Sequence, residues 1–171
     1  MGESIVVAST SFYHWEAEER VITGVSGRTI TVDSPFQYKH VSVVESYGTK
    51  DKLEMRAEVG LLSRNIKMMG DPTSVIGRYG SHLMLSATKA DGLQGHVAYT
   101  EFTHCGQPQI LGRYCIHFHM AGDVPTSFVR GNAVHESFAR VVTIHGVHNL
   151  LIEKNVGYRV RGHNFFVEDG I

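Results

Sequence analysis

The stretch YCIHFH, residues 114–119, returns in altered form as RVVTIH, residues 140–145, so that each position i aligns with position i+26. The second copy aligns in turn with FFVED, residues 165–169, at positions i+23. Short alternating segments that return at a spacing in the low twenties are typical of a β-solenoid, in which successive strands stack about 4.8 Å apart. The pattern therefore predicts strand pairing between these copies.

Other matches extend this pattern along the chain. Asn132 and Asn155 are related by the same i+23 offset, which indicates an internal ladder of side chains at a turn. The segment IGRYGSHLML (76–85) echoes LGRYCIHFHM (111–120) at an offset of i+35. Gly, Asn or Asp separates most of the short β-rich segments after Ser81, so the chain is predicted to be all-β.

The first part of the chain predicts smaller elements. The pattern of residues 20–34 predicts two alternating strands joined by a turn at Ser26-Gly27. This arrangement is typical of an antiparallel hairpin. Residues 11–20 are the best helix candidate, although this segment is short enough to form a loop. We therefore expect a small N-terminal β segment before the solenoid.

Strand alternation separates a core face from an outer face. The predicted core positions share one parity: Ile116, Phe118, Val142, Ile144, Phe165 and Val167. The opposite face carries two columns, His117–Thr143–Phe166 and His119–His145–Glu168. Asp169 follows Glu168 at the turn, and Asp123 lies just past His119. Two imidazoles and a carboxylate are thus predicted on adjacent strands, with His117 beside them.

Three interpretations of the second column remain open. His, His and Glu are suitable ligands for a divalent transition metal, at bond lengths of roughly 2.0–2.2 Å. Acid–base chemistry on a bound polymer would use Glu168 or a histidine as the proton carrier. Stacking of like residues on a solenoid surface needs no chemistry at all. Extended solenoid faces suit long ligands such as polysaccharides, and Arg113 is a candidate for a carboxylate of an acidic polymer or for an internal salt bridge.

Composition excludes several function classes. The 171 residues are 42% hydrophobic and 19% charged, which is sufficient for the core of one domain. The net charge is −1, from 16 basic and 17 acidic residues, so we expect no sequence-independent nucleic-acid binding. The chain has no long apolar run and no signal-peptide pattern at its N-terminus, so it carries no predicted transmembrane segment or signal peptide of its own.

The chain ends and the cysteines give further expectations. The sequence begins directly in a strand-like run and stops after an apolar strand and a turn, which predicts a piece of a longer protein. Cys105 and Cys115 are expected either to close a small loop or to remain two buried thiols, and the sequence alone leaves both open.

Four motifs together resemble one extracellular superfamily, which contains fibrocystin, fibrocystin-L and the cell-migration-inducing and transmembrane hyaluronidases. The motifs are MRAEVGLLSRNIKMMGD (55–71), GRYCIHFHMAGD (112–123), RVVTIHGVHNLLIEKNVGY (140–158) and GHNFFVEDG (162–170). Residues 5–38 resemble the end of the eight-glycine domain of those proteins and the segment after it. The short stretch between Gly122 and Gly131 favours the fibrocystin-L branch, and Cys115 departs from the proline that the family usually has there.

The resemblance implies a right-handed parallel β-helix in a large secreted or membrane-anchored protein. Residues 1–50 would be the C-terminal part of an eight-glycine-type β domain with a connecting hairpin. Residues 51–171 would be parallel β-helix repeats, truncated at the C-terminus. The resemblance also implies an extracellular or cell-surface location as part of that larger protein, with membrane anchoring only through parts outside this chain.

For function, the resemblance implies hyaluronan depolymerisation linked to calcium in one branch, and a receptor-like or structural surface role in the fibrocystin branch. We expect a module that recognises an extracellular ligand such as a glycosaminoglycan, with a hyaluronan-depolymerising module and a purely structural stalk as the alternatives. A divalent metal would be calcium by the resemblance, or a transition metal by ligand type. The hypothetical roles are catalytic for Glu168 and His119, substrate-binding for Arg113, His117 and Asp123, and metal-ligating for His119, His145, Glu168 and Asp169.

Overall fold

A computed structural model of the chain describes residues 1–88 and 92–169 and divides the chain into two compact units. The first unit is Met1–Ser63 and the second is Arg64–Ile171. The compact units therefore divide after Ser63, whereas the sequence suggests a division after residue 50. The identity of the first unit as the end of an eight-glycine-type domain stays a prediction.

The first unit is built from antiparallel strands. They are β1 (Ser4–Val7), β2 (Glu18–Ser26), β3 (Thr29–Val32), β4 (Ser42–Tyr47), β5 (Asp51–Arg56) and β6 (Val59–Leu61). One sheet has the order β3-β2-β1-β6, and β4 pairs with β5 alone. The predicted hairpin is confirmed, with Ser26 opposite Thr29. Of the helix candidate at residues 11–20, only His14–Glu16 forms a short 3-10 helix.

A buried carboxylate fixes the loop that follows this hairpin. Burial alone would raise the pKa of Glu18, but hydrogen bonds from the backbone N–H groups of Gln37 and Tyr38 and from the His40 and Arg20 side chains outweigh it and lower the pKa to about 2. The Nε2 atom of His40 lies 3.0 Å from the carboxylate, and Nδ1 of the same ring contacts the carbonyl oxygen of Ala8. These contacts tie the loop to β1 and β2.

The described part of the second unit consists of short strands and one short helix. They are β7 (Ile66–Met69), α1 (Pro72–Gly77), β8 (Leu83–Ser86), β9 (His96–Ala98), β10 (Thr100–Thr103), β11 (Ile116–Asp123), β12 (Phe128–Arg130), β13 (Ala133–Ser137), β14 (Val142–His148), β15 (Leu151–Glu153), β16 (Val156–Val160) and β17 (Phe165–Val167). Asp71 caps α1 by accepting hydrogen bonds from the backbone N–H groups of Thr73 and Ser74. Among the described residues, no helix has the length and apolarity needed to cross a membrane.

In the second unit every third strand pairs in parallel, which forms three parallel sheets. Their orders are β7-β10-β13-β16, β8-β11-β14-β17 and β9-β12-β15. We call each set of consecutive strands that contributes to these sheets a rung. This topology is the one that a parallel β-helix requires, and the all-β prediction is confirmed. The right-handed winding of the chain stays a prediction.

The registers deduced from the sequence hold for the last two repeats. Ile116 lies opposite Val142 and His119 opposite His145, as the first alignment predicts. Val142 lies opposite Phe165, as the second alignment predicts. The earlier echo is wrong by two positions, because it would set Ile116 opposite Ser81, whereas Ile116 lies opposite Leu83. The two GRY motifs stand at different distances from their strands, because β8 begins four residues after Tyr79 whereas β11 begins two residues after Tyr114.

The core runs along the interior of the three parallel sheets. Its fully buried side chains include Ile116, Phe118, Val129, Val134 and Val142. Among the described residues β17 pairs with β14 only, so Phe165 and Val167, predicted as core, are 50% and 65% exposed. The parity argument thus identifies the interior face correctly, but burial also needs a strand on both sides.

The predicted asparagine ladder is present at the turn before β13 and β16. The Nδ2 group of Asn132 donates to the carbonyl of Val97 at 2.9 Å and to Oδ1 of Asn155 at 3.0 Å. The backbone N–H of Thr100 donates to Oδ1 of Asn132, and Nδ2 of Asn155 donates to the carbonyl of Val129. The ladder satisfies buried backbone groups on successive rungs, which the short turns cannot pair among themselves.

Candidate functional site

Three imidazoles converge on the outer face of the sheet that contains β11 and β14. We call His117, His119 and His145 the histidine group. One nitrogen of each ring lies within 4.8 Å of the corresponding nitrogens of the other two. Strand alternation gives His117 and His119 the same face of β11, and parallel pairing puts His145 of β14 opposite His119. The sequence columns kept His117 apart from this pair, and the folded chain brings the three together.

His117 is the most constrained member of the histidine group. It is only 1% exposed, and its Nδ1 lies 2.8 Å from the carbonyl oxygen of Gly112. Because a carbonyl only accepts, Nδ1 carries the proton and Nε2 presents a lone pair. Nε2 is buried and has no hydrogen-bond partner among the described residues. Burial lowers the pKa of His117, which keeps the ring neutral and its lone pair available.

The loop of residues 106–114, here called the covering loop, buries His117 and supplies the Gly112 carbonyl. A disulfide between Cys105 and Cys115 closes this loop at its base, which resolves the two alternatives left open by the sequence. The backbone N–H of Gln107 also donates to the carbonyl of Arg113 at 2.8 Å. Gly112 has a φ of +86°, a conformation that favours glycine, so the direction of its carbonyl depends on the absence of a side chain.

His119 and His145 face each other across neighbouring strands. Their Nδ1 atoms are 3.1 Å apart, so the two nitrogens either share a proton or direct two lone pairs at a common cation. The Nε2 atom of His145 lies 3.9 Å from Oδ1 of Asp169, which in turn accepts a hydrogen bond of 2.6 Å from the backbone N–H of Gly146. Asp169 therefore approaches the nitrogen of His145 that does not face His119.

Glu168 borders the histidine group as an ionised carboxylate. Its Oε2 lies 3.9 Å from Nδ1 of His145 and 4.0 Å from Nε2 of His117. Its Oε1 accepts hydrogen bonds of 3.0 Å from the hydroxyl of Tyr114 and 2.9 Å from Nη1 of Arg140. Burial opposes ionisation, but these two hydrogen bonds outweigh it and lower the pKa of Glu168. An ionised carboxylate here suits a metal ligand or a proton acceptor.

The remaining predicted site residues lie outside the histidine group. Nη1 of Arg113 donates to the hydroxyl of Tyr79 at 2.6 Å and to Oε1 of Gln107 at 2.7 Å. This arginine therefore links the two ends of the covering loop and connects the loop to Tyr79. Asp123 lies beyond a β-bulge at the end of β11 and accepts a hydrogen bond from Asn149. Their substrate-binding roles stay predictions.

The donor set fits a transition metal better than calcium. In a tetrahedral site with metal–nitrogen bonds near 2.0–2.1 Å, ligand atoms lie about 3.3 Å apart. The separations here, from 3.1 Å to at most 4.8 Å, require shifts of about an ångström or less for each ring. Calcium takes six to eight oxygen ligands, whereas this group offers three imidazole nitrogens and the nearby carboxylates of Glu168 and Asp169.

Sequence reasoning missed two residues that shape the site. Tyr114 and Arg140 hold Glu168, and the ring of Tyr114 lies 5.0 Å from that of His117. The guanidinium carbon of Arg140 also lies 3.8 Å from the centre of the Phe166 ring. The strand alignments do not assign either residue to the site, because they do not reveal that side chains of three consecutive rungs meet at Glu168.

Comparison with known proteins adds two findings. Residues 64–171, the whole of the second unit, match the family model described as CEMIP beta-helix. The chain is 36% identical over 209 residues to fibrocystin-L of Mus musculus, an alignment that covers 99% of this chain and 5% of that protein.

Two further relatives carry names that refer to hyaluronan. The chain is 36% identical over 190 residues to the cell migration-inducing and hyaluronan-binding protein of Homo sapiens, and 35% identical over 191 residues to the cell surface hyaluronidase CEMIP2 of Homo sapiens. Each alignment covers 99% of this chain and 13% of the relative. The chain thus spans a small part of the relatives it matches.

Proposed function

The chain belongs to the CEMIP beta-helix family, and from this membership we propose that it recognises a hyaluronan-type glycosaminoglycan on the outer face of the β8-β11-β14-β17 sheet. In this proposal His117, His119 and His145 hold a divalent transition metal at the centre of that face. The protein would act at the cell surface as part of a longer polypeptide, in keeping with the name of the CEMIP2 relative.

The observation that carries the proposal is the unpartnered Nε2 of His117. A fully buried imidazole nitrogen without a partner among the described residues is costly, because burial removes the water that would otherwise satisfy it. The Gly112 carbonyl fixes the tautomer that leaves this lone pair free, which is the arrangement by which proteins orient metal-binding histidines. His117 is thus proposed as a metal ligand rather than as a substrate contact, since only 1% of it is exposed.

Glu168 and Asp169 take different places in this proposal. Glu168 supplies a fourth ligand or acts on a metal-bound water, because its Oε2 lies about equally far from His117 and His145. Asp169 acts on the outer side of His145 and favours the tautomer with a proton on Nε2, which frees Nδ1. Calcium, if the longer protein requires it, would bind elsewhere, because this donor set is unsuited to it.

Depolymerisation of hyaluronan is a second candidate function, and a specific contact favours it. The Glu168 carboxylate is kept ionised by Tyr114 and Arg140 while it borders the histidine group, so it is available as a proton acceptor next to a bound metal. In that case His119 and Glu168 would both take part in catalysis. A stalk without any ligand is the remaining alternative.

One experiment separates these functions. We expect the zinc-loaded chain to bind high-molecular-weight hyaluronan, and the double variant His119→Ala/His145→Ala to bind it roughly tenfold more weakly or worse. The same mixtures, sized on a gel, report whether the polymer is shortened by the wild type and left intact by Glu168→Gln. His148→Ala is the matched control, because His148 lies exposed on β14 outside the histidine group.

The outcomes are distinct. Binding without shortening supports recognition, and shortening that Glu168→Gln abolishes supports the enzyme. If the double variant folds normally and binds hyaluronan as tightly as the wild type, the histidine group has no part in glycan binding and the proposal is wrong.

A further inference from the structure

A cavity of about 370 Å³ lies at the turns that lead into β14 and β17, on the other side of Tyr114 from the histidine group. It is lined by the covering loop, by the turn of residues 138–140 and by Arg161 on the next rung. Its volume lies within the range of small-molecule sites, roughly 300–1,000 Å³. The cavity is therefore large enough to receive a group of sugar size.

The charged groups among the described residues that line this cavity are positive. They are Arg140 and Arg161, and no described aspartate or glutamate belongs to the lining. Arg140 is already engaged by Glu168 and Tyr114. Arg161 is exposed and forms no ion pair with another described residue. An anion that enters the cavity would thus meet one guanidinium that is free to bind it and a second one held in place behind it.

The cavity also offers apolar surface beside these charges. Ile110 and Leu111 at the tip of the covering loop are 38% and 82% exposed, and both belong to the lining. Carbon-bound hydrogens of a pyranose ring can pack on such side chains while a carboxylate on the same ring reaches an arginine. A simple inorganic anion would make no use of this apolar wall.

Tyr114 connects the cavity to the histidine group. Its side chain lines the cavity, its ring lies 5.0 Å from that of His117, and its hydroxyl donates to Glu168. A ligand in the cavity is therefore separated from the histidine group by one side chain. A polymer bound in the cavity could continue onto the face that carries His119 and His145.

We propose that this cavity is a uronate subsite, in which Arg161, backed by Arg140, binds the carboxylate of one sugar of an unsulfated, carboxylated polysaccharide. The inference rests on the proposed glycan recognition and identifies the carboxylate as the group on the glycan that the chain binds. Arg161 makes the direct contact, and Arg140 positions Glu168 and Tyr114 and adds to the positive field.

The test compares hyaluronan with hyaluronan whose carboxylates have been reduced to alcohols. We expect Arg161→Gln to bind native hyaluronan roughly tenfold more weakly than the wild type, because a charge-assisted contact is lost. The wild type should bind the reduced polymer more weakly by a similar factor. The variant should bind both polymers alike, since the group that distinguishes them has no partner left.

Arg159→Gln is the control for loss of one positive charge. Arg159 lies two residues earlier and pairs with Glu136 at 3.0 Å, outside the cavity lining, so its replacement should leave the discrimination between the two polymers intact. The metal content of Arg161→Gln should equal that of the wild type.

Failure of the subsite and failure of the proposed function look different. If the wild type binds hyaluronan and Arg161→Gln binds it equally well, or still prefers the native polymer, the subsite is wrong while glycan recognition stands. If the wild type binds neither polymer, both are wrong.

Discussion

Replacing His119 with alanine is expected to weaken zinc binding by on the order of 100-fold or more. His119 faces His145 with an Nδ1–Nδ1 distance of 3.1 Å, and the same ring lies beside His117. Its removal takes away one of the three proposed imidazole ligands and leaves two for the ion. The strand itself should persist, because His119 is only partly buried and its backbone pairing with Ser86 and His145 does not depend on the side chain.

The measurement is a zinc titration in competition with a chromophoric chelator. His148→Ala serves as the control and should bind zinc like the wild type, because His148 is exposed at the end of β14 and is not a member of the histidine group. Circular dichroism verifies that both variants are folded. A folded His119→Ala variant with wild-type zinc affinity would exclude His119 as a ligand.

Replacing Asn132 with alanine is expected to lower the free energy of unfolding of the second unit by roughly 3 kcal/mol. Asn132 is completely buried, and its side-chain amide forms hydrogen bonds with the carbonyl of Val97, the N–H of Thr100 and Oδ1 of Asn155. Alanine would leave the carbonyl of Val97 and the N–H of Thr100 without these partners, at about 1–3 kcal/mol for each unsatisfied group, and would remove one of the two hydrogen bonds that Oδ1 of Asn155 accepts. Partial relaxation of the structure and entry of water reduce this cost. The expected loss of unfolding free energy is therefore smaller than the largest cost that these groups could add up to.

Urea unfolding followed by circular dichroism measures this loss. Asn164→Ala provides a matched control, because Asn164 is exposed and its side chain forms no hydrogen bond with the described residues. The control should change the unfolding free energy by less than about 0.5 kcal/mol. Equal stability of Asn132→Ala and Asn164→Ala would mean that the asparagine ladder does not support the rungs.

Much of the fold follows from the sequence because parallel pairing repeats a local pattern. The i+26 and i+23 alignments predict the registers of β11, β14 and β17 directly, and the recurring asparagines predict the ladder. The alignment between β8 and β11 fails, since β8 begins four residues after the GRY motif and β11 only two residues after its copy, so the motif is out of register with the strands. A spacing predicts pairing only where the intervening turns keep their length.

The site is harder to predict for a physical reason. Strand parity places His119 and His145 together, but it assigns His117 to a different column and leaves its surroundings undetermined. The burial of His117 depends on the covering loop, whose path is set by the Cys105–Cys115 disulfide and by the positive φ of Gly112. Neither the disulfide nor the positive φ recurs from rung to rung, so the repeats in the sequence do not predict them.

The central claim is that His117, His119 and His145 bind one metal ion together, and titration with Co²⁺ tests it most directly. The visible absorption of bound Co²⁺ reports both stoichiometry and the type of its ligands. We predict saturation at a single ion per chain, with bands of tetrahedral or five-coordinate Co²⁺ bound by imidazole nitrogen, and loss of these bands in His119→Ala/His145→Ala. A wild-type chain that shows no such bands, or shows them equally in the double variant, would contradict the claim.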